Sequence, residues 1–141
     1  MTEEVRSVSS TGAEKGVKLA MYSAIPSGAL LEIAEHYGKG SLKYSKDNWR
    51  KGYEWSKSFD ALNRHLWQFW NGEDRDEETG SKHIIAVAWH ALALATFMDE
   101  FPEFDDRFKV ELKEVIASVE EARSVSELLN RRSMQAHASG R

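Results

Sequence analysis

The stretch from Ser81 to Asp99 constrains the fold more than any other part of the sequence, because it is apolar on nearly every side. A helix with apolar residues all around its circumference must be covered by neighbours on several sides. The chain has 141 residues, enough to supply such neighbours and to bury a sizeable core. We therefore expect a central helix over residues 81–99, surrounded by other helices.

Three further helices are predicted around this central one. The first begins at Pro26 and ends at Gly38, because proline suits a first helical turn and glycine a helix end. The second covers about Ser58 to Trp70, and the last begins near Asp105 as its N-cap and continues toward Leu129. No segment alternates with a period of two for long enough to predict a strand. The predicted fold class is therefore all-α, a compact bundle of about four helices.

The residues expected to face the core have the i, i+3, i+4, i+7 spacing of one helical face. They are Leu30, Ile33, Ala34 and Tyr37 on the first helix, Phe59, Leu62, Leu66, Phe69 and Trp70 on the second, and Leu112, Val115, Ile116 and Val119 on the last. Two connections, residues 39–57 and 72–80, are longer than bundle loops usually are, and long polar loops often carry function.

The composition of the chain predicts two flexible terminal segments and one folded domain between them. Residues 1–20 are rich in serine, glycine and charge, and so predict a flexible N-terminal arm, as residues 133–141 predict a flexible tail. Residues 21–132 then form a single helical domain. We expect a cytoplasmic protein, because the N-terminus lacks a secretion pattern and the most apolar stretch, Ile84 to Met98, is shorter than the ~20 residues that span a bilayer.

The net charge and the cysteine content limit which ligands and which catalytic groups the protein can use. The net charge of −4 gives no electrostatic footprint for duplex nucleic acid. The absence of cysteine excludes disulfides, thiolate zinc sites and a cysteine nucleophile, and suits a reducing compartment. A metal ion would have to be held by carboxylates or histidines, and oxygen ligands favour Mg²⁺ or Mn²⁺.

Two acidic pairs have the i, i+3 spacing that places both carboxylates on one side of a helix. Glu32 and Glu35 lie on the first helix, whereas Glu73 and Asp76 follow the second and are themselves followed by Glu78. Such carboxylates can surround divalent cations, which bridge phosphate oxygens and lower the pKa of an attacking water. The alternative is a solvated acidic surface, which exposed helices commonly carry.

The loop after the first helix combines cationic, amide and aromatic side chains. Lys43 could meet a phosphate, Asn48 could bind a base edge, and Tyr44 or Trp49 could stack on a base. The alternative interpretation is that Trp49 and Trp55 only fasten a long loop to the bundle.

The second and third helices add basic residues. His65 is expected at the edge of the core, and Arg64 beside it needs an anion, either an acidic side chain or a substrate phosphate. His83 follows the acidic loop directly and is the better site candidate, whereas His90 is expected to be a hydrogen-bonded core residue. The segment Asp105-Asp106-Arg107 could cap the last helix or reach the same cleft.

The ordered set of these segments resembles the phage and prophage family of dATP/dGTP diphosphohydrolases. The resemblance covers about Lys15 to Arg107. It is carried by KLAMYSAIP, ALLEIAEHYGKGSLKY, NWRKGYEW, ALNRHLWQFWNGEDRDEETGSKH and AWHALALATFMDEFPEFDDR. Its most specific parts are Lys43-Tyr44 with Asn48-Trp49, Arg64-His65, and the run from Glu73 to His83.

The resemblance implies an enzyme that splits a purine deoxynucleoside triphosphate into monophosphate and pyrophosphate. In outline the chain is also similar to the all-α, MazG-like pyrophosphohydrolases, in which a Glu-x-x-Glu and a Glu-x-x-Asp pair hold magnesium. Glu32-x-x-Glu35 and Glu73-x-x-Asp76 match these pairs in type and order, although the loop 39–57 sets them farther apart than in that group.

Each candidate residue receives a role from this resemblance. The metal ligands would be Glu32, Glu73 and Asp76, with help from Glu35 or Glu78, and the ion would be Mg²⁺ or Mn²⁺. Lys43 and Arg64 would neutralise phosphate charge, His65 or His83 would orient a carboxylate or the water, and Tyr44, Asn48 and Trp49 would bind the base. Enzymes of this kind often complete the site with a second subunit, which implies a homodimer or homotetramer, in the host cytoplasm if the protein is phage-encoded.

Three alternatives remain open from the residues. A phage protein that sequesters a signalling nucleotide without hydrolysing it would keep the basic and aromatic groups and need no metal. A purely structural helical module would leave residues 73–78 as a solvated turn. An enzyme acting on another nucleotide is the third.

Overall fold

The computed structural model describes residues 3–139, which divide into two units, one ending at Asp106 and one beginning at Arg107. The first unit contains a small hairpin of strands β1 (Arg6–Val8) and β2 (Glu14–Gly16), followed by helices α1 (Ser27–Lys43), α2 (Trp55–Trp70) and α3 (His83–Glu100). The second contains α4 (Leu112–Ala138). Short 3₁₀ helices cover Tyr22–Ala24, Asn48–Lys51 and Pro102–Phe104. The prediction of an all-α protein with four main helices is confirmed.

Helix α3 packs against both α1 and α2, as its apolar circumference predicts. The buried apolar side chains of the described chain are Trp55, Ile85, Ala86, Ala93 and Phe97, and four of them belong to α3. None of the helices within residues 3–139 combines the length and apolarity that crossing a membrane requires.

An aromatic cluster surrounds Phe97 on α3. Its ring centroid lies 4.9 Å from that of Tyr53, 6.2 Å from that of Trp49 and 5.6 Å from that of Phe101. Gly52 makes room for this cluster, because a Cβ there would lie 2.7 Å from a ring carbon of Phe101 and its φ is +76°. Both conditions favour glycine. The cluster therefore joins the loop between α1 and α2 to the centre of the domain.

The predicted C-terminal end of the first helix and the predicted start of the second are wrong by several residues. Helix α1 passes through Gly38 to Lys43, because its last turn is held by tertiary contacts of Lys39 and Lys43 that outweigh the glycine penalty. Helix α2 begins at Trp55, where Asp106 accepts a hydrogen bond of 2.9 Å from the backbone N–H of Ser56. Asp106 thus accepts a hydrogen bond from a free backbone N–H in the first turn of α2, and it does not cap the fourth helix.

The fourth helix begins at Leu112 with Glu111 as N-cap, so its predicted start near Asp105 is also wrong. Its end at Ala138 lies inside the segment 133–141 that was expected to be a loose tail. As a single helix, α4 leaves its predicted apolar stripe uncovered within its own unit.

The N-terminal arm, expected to be loose, contains the β hairpin. Arg6 pairs with Gly16 and Val8 with Glu14 in antiparallel register, and Gly12 turns the chain with a φ of +86°. Strands of three residues are too short to show a period of two, which explains why none was predicted.

The face of α2 that packs against α3 is a different one from that predicted. Phe59 and Trp70 were expected in the core, but they are 59% and 76% exposed, and Leu66 and Phe69 are exposed as well. The inner face instead carries Trp55 and Ser58, both buried, with Leu62 and His65 partly buried along the same side. Hydrophobicity alone selects the wrong face, because the inner one is held by polar contacts.

Candidate functional site

The connection between α2 and α3 is a closely hydrogen-bonded loop. The N–H of Asp76 donates to the carbonyl of Ser81 at 2.8 Å, and the N–H of Gly80 donates to the carbonyl of Asp76 at 2.7 Å. Arg75 Nη1 donates to the carbonyl of Gly80 at 2.9 Å, and the N–H of His83 donates to the carbonyl of Asp74 at 2.9 Å. These bonds give Asp76 and His83 a defined position relative to each other.

Helix α1 holds the other side of this loop through charged and polar contacts. Glu32 pairs with Lys82 at 3.0 Å, and Lys43 pairs with Glu78. His36 Nδ1 and Lys39 Nζ both contact Ser81 Oγ, at 2.8 and 3.0 Å. Two of the predicted metal ligands, Glu32 and Glu78, are therefore paired with lysines. Glu35 lies exposed on α1.

Three side chains from three elements converge at the inner edge of the loop. His65 of α2, Asp76 of the loop and His83 of α3 each offer a ligand atom, and these atoms lie within 4.8 Å of one another. The two histidine Nδ1 atoms are 2.9 Å apart. Within residues 3–139 this is the one set of three histidine, aspartate or glutamate residues close enough to share a metal ion.

The carboxylate of Asp76 is oriented by Thr79. Its Oδ2 accepts hydrogen bonds from the Thr79 N–H at 3.0 Å and from Thr79 Oγ1 at 2.8 Å. Partial burial acts to raise the pKa of Asp76, but these hydrogen bonds and the nearby histidines outweigh burial and lower it. Asp76 is therefore held as an anion facing the two imidazoles.

His83 is fully buried, yet its Nε2 has no aligned hydrogen-bond partner. Glu73 Oε1 lies 3.2 Å from this nitrogen, which is within ion-pair distance, but the two atoms do not form a hydrogen bond. A buried polar nitrogen without a partner is unusual, because the desolvation cost is left uncompensated. Glu73 is partly exposed and is the side chain that can turn toward it.

Four of the chain's five histidines meet around this point, His36 and His90 in addition to His65 and His83. His90 Nδ1 contacts Ser58 Oγ at 3.0 Å, and Ser58 Oγ in turn contacts Tyr53 OH at 2.6 Å. His90 is thus a hydrogen-bonded interior residue, as expected. His36 was not among the predicted site residues, although it lies one turn before Lys39 and two turns before Lys43, on the helix face that the loop contacts.

Burial is the main cause of the lowered pKa values in this cluster. It lowers the pKa of His36 and His65, and it lowers the pKa of His90 to about 4, with nearby positive groups acting in the same direction. These three imidazoles are therefore neutral at pH 7, the form that can bind a metal ion or accept a proton.

We expect the metal-free protein to lose stability as the pH falls from 6.5 toward 4. The folded-state pKa of His90 lies below the unfolded value of 6.5, so the unfolded chain takes up the proton first. The stabilisation is complete above pH 6.5 and is lost as the pH falls through that value to the folded pKa. Urea unfolding with chelator at pH 7 and pH 4.5 should show a loss on the order of 2 kcal/mol from this group.

His90→Gln should reduce this pH dependence, whereas His137→Gln, at an exposed position on α4, should leave it unchanged. The same pH dependence in both variants and the parent protein would contradict the assignment to His90.

An acidic depression of about 590 Å³ opens beside the converging side chains. It is lined by Gln68, Glu73, Asp76, Glu77 and Glu78. Asp76 belongs both to this wall and to the group with His65 and His83. The predicted ligands Glu73, Asp76 and Glu78 thus come together at this wall, although Glu78 is paired with Lys43.

The predicted base-binding loop lies against a different surface. Trp49 packs between Tyr37, at 6.0 Å, and Trp89, at 6.3 Å, and Arg50 covers its ring at 4.7 Å. This packing matches the interpretation that Trp49 fastens the loop. Trp49 lines an open depression of about 660 Å³ that shares no lining residue with the acidic one.

Most of the other predicted binding residues have exposed side chains. Tyr44 is 65% exposed, and the Lys43 ammonium lies 5.4 Å from the centre of its ring. Asn48 begins the 3₁₀ helix next to Trp49 and is half-buried. Arg64 is exposed and makes no hydrogen bond or ion pair with the described part of the chain.

These features define an all-α protein with a group of two histidines and one aspartate at the margin of an acidic depression. A family model described as "dATP/dGTP diphosphohydrolase, N-terminal" matches residues 9–107, which include every candidate site residue. The chain belongs to this family, which confirms the resemblance found in the sequence.

One curated relative has a related sequence. The chain is 30% identical over 76 residues to a protein of Salmonella phage PMBT28 named dATP/dGTP diphosphohydrolase. The match covers 54% of this chain and 26% of the relative, so the chain spans about a quarter of that protein's length. No solved structure matches the chain.

Proposed function

We propose that this protein hydrolyses purine deoxynucleoside triphosphates, dGTP or dATP, to monophosphate and pyrophosphate. Water would add to the α-phosphorus, and the bond between the α-phosphorus and the bridging oxygen would break, releasing pyrophosphate. The family and the name of the phage relative support this reaction class. The observation that carries it is the position of Asp76, shared between the two histidines and the wall of the acidic depression.

The negative charge of this wall supports the proposal that hydrolysis depends on a metal ion. A triphosphate would be repelled by Glu73, Asp76 and Glu77 unless cations lay between them. We propose that Mg²⁺, or Mn²⁺ in its place, accompanies the nucleotide and is held by Glu73 and Asp76. Glu32 and Glu78 could join only by leaving their lysines. A bound dication would neutralise phosphate charge and lower the pKa of a bound water.

The chain's own basic residues would bind the phosphates. Arg64 has no partner to give up within the described residues, so its guanidinium is free to hold two phosphate oxygens. Lys43 would exchange Glu78 for phosphate. Tyr44, exposed beside Lys43, is better placed to stack on a base than Trp49, whose ring is already packed.

We also propose a homodimer or homotetramer in the cytoplasm, where nucleoside triphosphates are made and used. The support is the exposed aromatic face of α2, on which Phe59, Leu66, Phe69 and Trp70 lie uncovered. A monomeric mass by light scattering would contradict the oligomer.

A second candidate is a nucleotide-binding protein that sequesters its ligand without hydrolysis. The observation that favours it is that Glu32 and Glu78, two of the predicted metal ligands, are already paired with Lys82 and Lys43. It predicts nucleotide binding that survives removal of metal.

The deciding experiment incubates the purified protein with each deoxy- and ribonucleoside triphosphate and Mg²⁺, and separates the products by chromatography. We expect monophosphate and pyrophosphate from dGTP or dATP, and none when chelator is present. Turnover of no triphosphate, together with a nucleotide-dependent rise in melting temperature, would select the sequestering protein. The absence of both turnover and a rise in melting temperature would contradict both candidates.

A further inference from the structure

We propose that His65, Asp76 and His83 bind one first-row transition-metal dication, such as Zn²⁺, Co²⁺ or Fe²⁺, as a resident ion. This ion would be distinct from the Mg²⁺ that accompanies the nucleotide. Asp76 would contact both ions, and Glu73 would reach Mg²⁺ with the carboxylate oxygen that does not face His83. Only its role in hydrolysis rests on the proposed function. Its binding is argued from the positions of these three side chains.

The spacing of the two imidazoles fits a shared metal ion. Nitrogen ligands lie about 2.0–2.1 Å from such ions, so two of them at angles between about 90° and 110° are roughly 2.9–3.4 Å apart. The Nδ1 atoms of His65 and His83 are 2.9 Å apart. One imidazole could instead donate a hydrogen bond to the other, which is the arrangement that the experiment must exclude.

Asp76 supplies a third ligand without losing its hydrogen bonds. Both bonds from Thr79 go to Oδ2, which leaves Oδ1 as the atom for a metal ion. A carboxylate that binds a metal ion is typically hydrogen-bonded through its other oxygen, because such outer contacts fix the direction of the group. The three ligands come from α2, the loop and α3, so a bound ion would join three elements.

The unpartnered Nε2 of His83 is the second observation that points to a ligand. A metal-bound histidine usually turns its other nitrogen toward a carboxylate, which fixes the ring and strengthens the metal bond. Glu73 Oε1 lies 3.2 Å from this buried Nε2 and needs only a small turn to accept its hydrogen. With Nδ1 on the metal and Nε2 toward Glu73, both nitrogens of His83 would have partners.

The donor set decides the class of ion. Two imidazole nitrogens and one carboxylate favour first-row transition metals, whereas Mg²⁺ prefers oxygen ligands and water. Three protein ligands also leave positions open for water or a phosphate oxygen, as in catalytic rather than purely structural sites.

The test uses Co²⁺ as the probe, because its visible absorption bands report nitrogen ligation directly. The full chain is stripped with chelator and titrated with Co²⁺ in the absence of nucleotide. We expect bands that saturate at one equivalent, disappear on adding Zn²⁺ and persist in excess Mg²⁺. His65→Gln and Asp76→Asn should weaken Co²⁺ binding at least tenfold, while His137→Gln, exposed on α4, should leave it unchanged.

A second measurement guards against misfolded variants. Zn²⁺ should raise the melting temperature of the unaltered protein, and the same concentration of Mg²⁺ should not. Absence of Co²⁺ bands, bands that survive both substitutions, or equal effects of Zn²⁺ and Mg²⁺ would each overturn the site. Co²⁺ binding without turnover of any triphosphate would support the metal site and contradict the proposed function. Turnover without Co²⁺ binding would support the proposed function and contradict the metal site.

Discussion

Replacing Asp76 with asparagine should lower kcat for the proposed hydrolysis of dGTP or dATP by about 100- to 1,000-fold. Asparagine has almost the same shape and can still accept from Thr79, so the loop should keep its hydrogen bonds. It removes the negative charge that faces His65 and His83 and lines the acidic depression. A metal-assisted step is worth several kcal/mol, and each 1.36 kcal/mol corresponds to a factor of ten in rate.

The matched control is Asp60→Asn, which makes the same chemical change at an exposed position of α2. Steady-state kinetics of both variants, with the helix content of each checked by circular dichroism, measure the effect. A folded Asp76→Asn protein with more than a tenth of the parent kcat would remove Asp76 from the reaction.

Replacing Phe97 with alanine should reduce the free energy of unfolding by about 3–5 kcal/mol, the range for deleting a buried aromatic ring. Phe97 is fully buried, and its ring contacts those of Trp49, Tyr53 and Phe101. Its loss leaves a cavity where the loop between α1 and α2 meets α3. A protein of this size has only about 5–15 kcal/mol of total stability, so the variant should be unfolded at a much lower urea concentration.

Phe108→Ala is the control for this experiment, because Phe108 is 94% exposed and should cost less than about 0.5 kcal/mol. Equal losses in the two variants, measured by urea unfolding with the same slope, would show that the aromatic cluster does not hold the domain together.

The parts of the fold that depend on one helix alone could be predicted from the sequence. The apolar circumference of residues 81–99 places α3 at the centre, and α3 does pack against both α1 and α2. The position of His83, directly after the acidic loop, similarly marked it as a site candidate. These predictions need only local spacing and composition.

The parts that depend on contacts between distant residues could not be predicted. Glu32 was a plausible metal ligand by spacing, but it pairs with Lys82, fifty residues away in the chain. Helix α1 continues past Gly38 because Lys39 and Lys43 reach the loop before α3. His36 enters the site through Ser81, a contact that no local pattern encodes.

The polar inner face of α2 has a consequence for how the protein acquires its site. Successive residues are about 100° apart around a helix, so a rotation of α2 by about 100° about its axis would bring Phe59 and Leu66 inward and turn His65 toward solvent. Burial of apolar side chains alone would favour that rotated state. The chain of hydrogen bonds from Tyr53 through Ser58 to His90 selects the observed one. The rotational register of α2 that buries Ser58 is therefore also the one that brings His65 to His83.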